Sequence, residues 1–399
     1  MYMGKLSISG VRLSEFVKSK IADLKSTICL VVLLFVAAGL VGCGSVTEEA
    51  KAPKGLSSAP NPQLPLKAEP LVVLPDYCNT TDGMCLLPDN SFVISIPNFN
   101  DEKDPPLLMR ITADNKAEKF YEFPTPYPGL PEKLNRIRPM GIARDPKSGN
   151  LYLADMQYML DKDQKSRMWK LVVKNGKVEK MVLAASGFNV ANGTAVRGDY
   201  VYITESVREE GFNAATPTLF SVVMRFKLDE ENVVIKTPVK DDPHAIATFE
   251  SKRKDWGFGA DGLCFDSKGN LFVGLFGDGK LFKLEFGADG TVKSNKLFAE
   301  APGKMTNCDG SCCDPRTDRI YVADSAGNAI QIVSPDGSIA TLAENEDVVD
   351  KKTGMLDQPC EAMLRGNEII VSNMDWPFPG FKNTKFQMPA VISVIRLDK

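Results

Sequence analysis

The sequence predicts an all-β fold, a six-bladed β-propeller, from two observations. A short unit recurs six times along the chain, and its third residue is glycine in every copy except the last. These third positions are Gly83, Gly141, Gly193, Gly262, Gly310 and Glu361, separated by 58, 52, 69, 48 and 51 residues. Each unit continues into a turn rich in Gly, Asn or Asp and a short apolar strand. Such a repeat is typical of a propeller with one blade per unit.

Residues 260–284 show how one blade is built. Three apolar segments, Leu263–Phe265, Leu271–Leu275 and Lys280–Glu285, are separated by Ser-Lys-Gly-Asn and Gly-Asp-Gly, residue types that tolerate tight turns. Five units leave room for a fourth, outer strand. We expect these outer strands at Glu118–Phe123, Val178–Leu183, Val233–Lys236, Thr291–Leu297 and Ser338–Leu342.

The sixth unit ends at Lys399 with no residues left for an outer strand. We therefore predict that Leu71–Leu74, ahead of the first unit, completes the last blade. Closing the ring in this way removes an open sheet edge. The alternative is an open array of sheets.

Residues 1–42 are predicted to be a lipoprotein signal peptide. Their first part is net basic, and Ile28–Gly42 is an almost unbroken apolar run that is too short for a comfortable membrane span. The run ends in Leu-Val-Gly before Cys43, which resembles a bacterial lipobox with Cys43 as the lipidated first residue of the mature protein. The alternative is an uncleaved anchor with an incidental cysteine.

Residues 43–68 are rich in Ser, Glu, Ala, Lys and Pro and are predicted to form a flexible tether before the propeller, residues 69–399. We expect a protein in the cell envelope, anchored to the exported side of a bacterial membrane through lipid on Cys43. Because Gly44 rather than Asp follows the cysteine, the outer membrane is expected where two membranes are present.

The acidic net charge of the chain argues against nucleic acid as a partner. The 399 residues carry 48 basic and 51 acidic side chains, and without the segment before Cys43 the balance is 43 against 49, a net charge of −6. The one histidine, His244, argues against a Ser-His-Asp site, and no Cys-x-x-Cys-His motif for covalent haem occurs. We expect a monomer.

The residue before each unit's third position is predicted to point into one mouth of the central channel, because the first strand of each blade lines that channel. Those residues are Asp82, Met140, Asn192, Asp261, Asp309 and Cys360. Three carboxylates crowded together require a cation between them or protons on some of them. The competing interpretation is that Asp-Gly and Asn-Gly are turn dipeptides whose side chains cap the backbone.

Oxygen donors favour one hard divalent cation, Ca²⁺ first, with Mg²⁺, Mn²⁺ or Zn²⁺ as alternatives. The predicted ligands are Asp82, Asn192, Asp261 and Asp309. Met140 and Cys360 are predicted to form the substrate side of the mouth, with Trp256 or Trp376 nearby, and to make it more apolar than a sugar site.

Two stretches carry a family resemblance, Ala191-Asn-Gly-Thr-Ala-Val and Ala260-Asp-Gly-Leu-Cys-Phe, each with the strand that follows. Through them residues 70–399 resemble the gluconolactonase/regucalcin family, six-bladed propellers with a divalent metal in the channel mouth. Strictosidine-synthase-like, paraoxonase-like and NHL-type propellers share the same strand pattern.

The resemblance implies a metal held by a Glu of the first blade, an Asn opening the third and an Asp opening the fourth. Asn192 and Asp261 match the last two. Asp82 is one methylene shorter than the family's Glu, Met140 replaces an Asn that often serves the substrate, and Asp309 is an additional carboxylate. The metal thus carries over better than sugar-lactone specificity.

The chemistry implied is hydrolysis of a lactone or similar ester, in which the cation polarises the carbonyl and a carboxylate takes a proton from water. Asp261 stands at the family's position for that base, with Asp309 as its rival. The apolar mouth points to a hydrophobic ester or lactone. The alternative is a non-catalytic propeller that binds a ligand or protein at the cell surface, with a structural metal or none.

Seven cysteines follow Cys43. Three of them, Cys85, Cys264 and Cys312, share one repeat position and are interpreted as small core residues. In an oxidising exterior Cys78 could pair with Cys85, and Cys308 with Cys312, Cys313 or Cys360. A further set of acidic residues, expected to bond turns and neighbouring blades, closes the second strands at Asp155, Glu205 and Asp324.

Overall fold

The structure is a computed structural model that describes residues 64–161, 163–208, 219–252, 256–348 and 356–397. The predicted signal peptide, the lipidation site Cys43 and the tether up to residue 63 lie outside these ranges, and they remain predictions.

The described chain is almost entirely β-structure. Besides two 3-10 turns, Glu132–Leu134 and Val239–Asp241, it contains short strands joined by turns. In chain order the strands are β1 (Glu69–Val73), β2 (Met84–Leu86), β3 (Phe92–Ile96), β4 (Leu107–Ile111), β5 (Ala117–Glu122), β6 (Pro139–Arg144), β7 (Leu151–Asp155), β8 (Ser166–Lys174), β9 (Lys177–Phe188), β10 (Ala191–Arg197), β11 (Tyr200–Arg208), β12 (Leu219–Lys227), β13 (Val233–Val234), β14 (Ala245–Ser251), β15 (Ala260–Phe265), β16 (Leu271–Leu275), β17 (Lys280–Phe286), β18 (Val292–Glu300), β19 (Ser311–Asp314), β20 (Arg319–Asp324), β21 (Ala329–Val333), β22 (Ile339–Glu344), β23 (Pro359–Arg365), β24 (Glu368–Asn373) and β25 (Val391–Arg396).

These strands form six sheets, which are the six predicted blades. Four blades take four strands in chain order, β2-β3-β4-β5, β10-β11-β12-β14, β15-β16-β17-β18 and β19-β20-β21-β22, and the second blade has five, β6-β7-β8-β9-β13. The sixth has the order β23-β24-β25-β1, so its outer strand comes from the start of the propeller. β1 pairs antiparallel with β25, from Glu69 opposite Val394 to Val73 opposite Val391. The six-bladed ring and its closure by an N-terminal strand are confirmed.

The predicted outer strand of the third blade is wrong. Val233–Val234 pairs in parallel with Ala185 and Ser186 of β9, so it extends the second blade. The outer strand of the third blade is β14, antiparallel to β12. Val233–Val234 is only two residues long, and Ile235 after it is buried close to Gly187 of the second blade. The longer run Ala-Ile-Ala-Thr-Phe in β14 fits a half-buried edge better.

The recurring glycine is explained by close approach of neighbouring blades. A Cβ on Gly83 would lie 2.6 Å from the Cα of Gly141, and a Cβ on Gly141 would lie 2.5 Å from the carbonyl oxygen of Asn192. The same crowding by the next blade occurs at Gly193, Gly262 and Gly310. Without side chains at these positions the first strands can pack directly around the axis.

Blades are joined by apolar clusters and by serine hydroxyls. Between the first two blades, for example, Val93 and Leu108 pack with Leu153 and Leu171. Serines near the ends of second strands donate to backbone carbonyls of the next blade, at Ser95 to Met140 O (2.7 Å) and Ser372 to Asp82 O (2.7 Å). These bonds help to position Met140 and Asp82, which open the first strands of the second and first blades.

The last part of the predicted tether contacts the propeller. Leu64 and Leu66 pack against the apolar cluster of the last two blades, and the Leu66 N–H donates to Leu342 O at 2.6 Å. None of the described helices is long and apolar enough to span a membrane.

Candidate functional site

The first strands converge on a small cavity of about 40 Å³ to which all six blades contribute. Its lining residues are Asp82, Met140, Met156, Asn192, Phe258, Asp261, Phe276, Asp309, Gln358, Met374, Trp376 and Phe378. Five of the six residues predicted at the mouth are among them, and the sixth, Cys360, is not. The repeat register therefore brings the three aspartates and Asn192 to one place.

A β-bulge positions several of these side chains. In the second, third and fourth blades the pairing of first and second strands shifts register across the motif, and the two residues inside each irregular step are the repeat glycine and the residue before it, Met140, Asn192 or Asp261. A bulge bends the strand and turns one side chain away from the regular alternation. Each of these three residues lines the cavity.

Two carboxylates of the mouth are deeply buried. Asp82 is 7% and Asp261 4% exposed. Burial, followed by the charge of Asp309, raises the pKa of Asp82 well above its usual range. The pKa of Asp261 is raised by burial and then by Asp309, Asp82 and Glu361, against a hydrogen bond from Asn192 that lowers it. Among the residues that the structure describes, no Lys, Arg or His lines the cavity to offset these charges.

Asp309 has more partners than the other two aspartates. Its Oδ2 accepts from the Ser325 hydroxyl (2.6 Å), and its Oδ1 accepts from the N–H of Gly310 (3.1 Å). Burial raises its pKa to about 7, although these two hydrogen bonds lower it. Asp309 is therefore a carboxyl that can change its protonation state near neutral pH.

Glu361 is a fourth carboxylate of this region, which the sequence-based site prediction missed. It stands where the other five blades have glycine, and a Cβ on Gly310 would lie 2.5 Å from its Oε1. That Oε1 accepts from the N–H of Ala362 (3.1 Å). Burial, then Asp82 and Asp309, raises the pKa of Glu361 well above its usual range. The break in the glycine pattern was the available signal.

Cys360 lies beside the mouth without lining it. Its thiol donates to the carbonyl oxygen of Thr81 (3.2 Å), and its Sγ is 3.2 Å from the Ser372 hydroxyl. Its side chain is 2% exposed and packs in the same apolar cluster as Met140 and Met374. The thiol thus supports the cavity wall from behind.

Much of the cavity lining is apolar and aromatic. Three methionines, Met140, Met156 and Met374, line it together with Phe258, Phe276, Trp376 and Phe378. Trp376 stacks on Phe99 with ring centroids 4.9 Å apart. Trp256, the other tryptophan considered from the sequence, packs on Phe276 and Phe381 behind the wall.

The acidic residues that close the second strands hold loops. Asp155 accepts from Arg167 Nε (2.8 Å) and Trp169 Nε1 (3.0 Å). Glu205 accepts from the backbone N–H groups of Asn189 and Val190, and Asp324 from those of Thr306 and Asn307. None of the three lines the mouth. Their predicted turn-bonding role fits these contacts.

All seven cysteines of the described chain are free. The pairings considered for Cys78 and Cys308 are therefore not formed in this structure. Cys85 and Cys264 are buried, as expected of core residues, while Cys312 is partly exposed. Burial raises the pKa of Cys85 to about 12, which keeps its thiol protonated.

The donor chemistry of the mouth fits a hard divalent cation, although its side-chain arrangement is not a closed coordination set. Within the described ranges, no group of three or more His, Cys, Asp or Glu side chains is arranged so that it could hold a metal ion. The aspartates nevertheless face one cavity that contains no basic residue. Buried carboxylates of this kind need protons or a cation. The residues available to hold one are Asp82, Asn192, Asp261 and Asp309.

The fold is a six-bladed β-propeller with an acidic cavity at the channel mouth. No family model matches the chain, and no curated protein matches its sequence. Similar solved structures include a gluconolactonase from Xanthomonas campestris, with a TM-score of 0.51, 13% identity and coverage of 83% of this chain and 89% of that one.

Two further structures are similar. A calcium-binding protein, regucalcin, from Agrobacterium tumefaciens has a TM-score of 0.53 and 13% identity over 83% of this chain and 94% of its own. A luciferin-regenerating enzyme has a TM-score of 0.53 and 10% identity over 82% and 94%. At these identities the likeness extends to the fold. The structural likeness therefore confirms the resemblance seen in the sequence at the level of the fold.

Proposed function

We propose that the protein is a divalent-metal-dependent hydrolase of lactones or esters. The observation that carries the proposal is the cavity at the channel mouth, which Asp82, Asn192, Asp261 and Asp309 from four blades line, with no basic residue among the described lining residues. The gluconolactonase and regucalcin structures support it through a shared fold.

In this proposal Asp82, Asn192 and Asp261 hold the cation. The cation would act as a Lewis acid toward the substrate carbonyl. Asp309 would take the proton from the attacking water, because its carboxylate lines the mouth beside the proposed cation ligands. Ser325 and the Gly310 N–H fix the orientation of the Asp309 carboxylate. Asp261, at the family's position, is the rival base.

The wall of the mouth favours an apolar substrate over a sugar lactone. Met140 offers no hydrogen bond to a sugar hydroxyl at the place where the resemblance implies an Asn. Gln358 also lines the cavity, and its side-chain oxygen already accepts from the backbone N–H of Trp376 at 2.6 Å. A cavity of about 40 Å³ admits only a few water-sized groups. The ester carbonyl would enter it, and the rest of the substrate would lie on Trp376 and Phe378.

The proposed setting is the exported side of a bacterial membrane. This part of the proposal depends on the lipobox-like residues before Cys43, and the lipid on that cysteine would be the contact with the membrane.

The test is metal content and turnover of the full-length protein in detergent. Bound metal is measured before and after chelation, and hydrolysis is followed with gluconolactone, an aliphatic γ-lactone and an aryl ester. We expect about one equivalent of divalent cation, chelator-sensitive turnover, and faster hydrolysis of the apolar substrates.

Variants separate the roles. Asp261→Asn is expected to lose both cation and turnover, whereas Asp309→Asn is expected to keep the cation and lose turnover. Asp336→Asn serves as the matched control, because Asp336 only bonds Ser338 in an exposed turn. If wild type retains no cation, or if chelation leaves hydrolysis unchanged, the metal-dependent mechanism is wrong. Bound cation without turnover on any ester would move the assignment to a non-catalytic binding propeller.

A further inference from the structure

A second cavity, of about 370 Å³, lies between the first two blades. It is bordered by the β2–β3 turn at Leu87–Asp89, by Ser148 and Gly149 of the β6–β7 turn, and by Asn175 and Gly176 of the β8–β9 turn. The first two of these turns follow the ends of β2 and β6 that are remote from Asp82 and Met140. The cavity is therefore distinct from the channel mouth. Its volume is within the range of about 300–1,000 Å³ found for small-molecule sites.

The cavity contains a residue that departs from the repeat. Arg144 is the third residue after Gly141 and lines the cavity. The equivalent residues of the other five blades are Leu86, Val196, Phe265, Cys313 and Leu364. All five pack against apolar clusters. Only in the second blade does this inter-blade position carry a charge.

The charge of Arg144 has no partner in the part of the chain that the structure describes. Its guanidinium makes no hydrogen bond and no ion pair there. The other arginine of the cavity, Arg110, donates to Asp89 (2.5 Å) and to the Ser91 hydroxyl (3.0 Å). Arg110 is thus paired with Asp89 and also lies 3.9 Å from Glu118, whereas Arg144 is the arginine of the cavity that has no paired carboxylate among the described residues.

The remaining walls are largely apolar. Leu87, Phe120, Leu151 and Val173 line the cavity and belong to, or pack against, the apolar core between the first two blades. A guanidinium beside such walls matches a ligand with an anionic head and a short apolar body, because Arg pairs with carboxylate through two parallel hydrogen bonds.

We propose that this cleft binds a small amphiphilic carboxylate. The carboxylate accepts hydrogen bonds from the Arg144 guanidinium, and the apolar tail lies on Leu87, Phe120 and Val173. The site is independent of the hydrolase proposed above and needs no metal.

The experiment is titration of the full-length protein with hexanoate by calorimetry, in detergent with chelator present and empty micelles as the blank. Hexanamide, acetate and inorganic phosphate are titrated alongside. We expect hexanoate to bind more tightly than acetate or phosphate, and hexanamide to bind at least about tenfold more weakly because it lacks the charge. Asp261→Asn is expected to bind hexanoate normally, which excludes the channel mouth as the site.

Two variants test the arginine. Arg144→Leu places at this position the residue type of the other blades, and Arg144→Gln keeps a polar group without charge. Both are expected to weaken hexanoate binding about tenfold or more, with the melting temperature used to verify folding. Arg225→Gln is the control, because Arg225 stacks on Tyr200 in the third blade. The proposal is overturned if hexanoate does not bind at millimolar concentration, if hexanamide binds equally well, or if both Arg144 variants bind like wild type.

Discussion

The glycine ring makes a quantitative prediction about stability. In Gly141→Ala the new Cβ would lie 2.5 Å from the carbonyl oxygen of Asn192 and 3.0 Å from the Cα of Gly193. Ordinary carbon contacts begin near about 3.5 Å, so the backbones of two blades must separate by about 1 Å. The atoms that would be struck are backbone, which cannot rotate away. Overpacking typically costs about 1–3 kcal/mol, and we expect about 3 kcal/mol or more here.

Gly198→Ala is the matched control. Gly198 has a φ of +63° and no atom within 4 Å of its Cβ position, so alanine there meets strain without a clash. Its expected cost is about 1 kcal/mol. Urea midpoints at unchanged slope measure both costs. Equal destabilisation by the two substitutions would refute the explanation of the repeat glycine. A secondary expectation is weaker cation binding in Gly141→Ala, since the shift moves Asn192.

Three other predictions concern the mouth and the ring. Without cation the free energy of unfolding should fall as pH rises from about 4 to about 7, because the pKa of the Asp309 carboxyl is raised from 3.8 to about 7 and the folded protein keeps a proton that the unfolded chain has released. Melting temperatures at pH 5 and pH 8 in chelator check this, and Asp309→Asn should flatten the slope. A free energy of unfolding that rises with pH would contradict the prediction. Met140→Asn should raise turnover of gluconolactone relative to the aliphatic lactone by about tenfold, and an unchanged ratio in steady-state assays would show that the wall does not select the substrate. Deleting residues 69–73 removes the strand that closes the ring and exposes the edge of β25. The deletion should lower the melting temperature and promote association through that edge, which light scattering measures. A stable monomer would mean that ring closure contributes little to stability.

The sequence by itself was sufficient for the architecture. The six units, their glycines and the closing N-terminal strand are local patterns, and each reports a local constraint such as a turn, an alternating strand or a close backbone approach. The same register predicted which residues stand at the mouth, because every blade places its first strand at the axis in the same way.

Tertiary structure decided what the register could not. Val233–Val234 joins the neighbouring blade, since strand pairing depends on which edge is within reach rather than on apolar pattern. Cys360 is at the predicted position along its strand, but its thiol turns to the Thr81 carbonyl instead of the cavity. Glu361 adds its carboxylate because the ring brings Gly310 beside it.

The charge environment also arises only in the folded ring. Asp82, Asp261 and Asp309 are far apart in sequence, and their pKa values rise because folding buries them together without a basic neighbour. Arg144 is likewise an ordinary strand-end arginine in the sequence. Its unpaired charge becomes apparent only where two blades meet and leave a cleft of about 370 Å³ beside it. Side-chain direction and burial are properties of the packed blades, which a one-dimensional repeat does not specify.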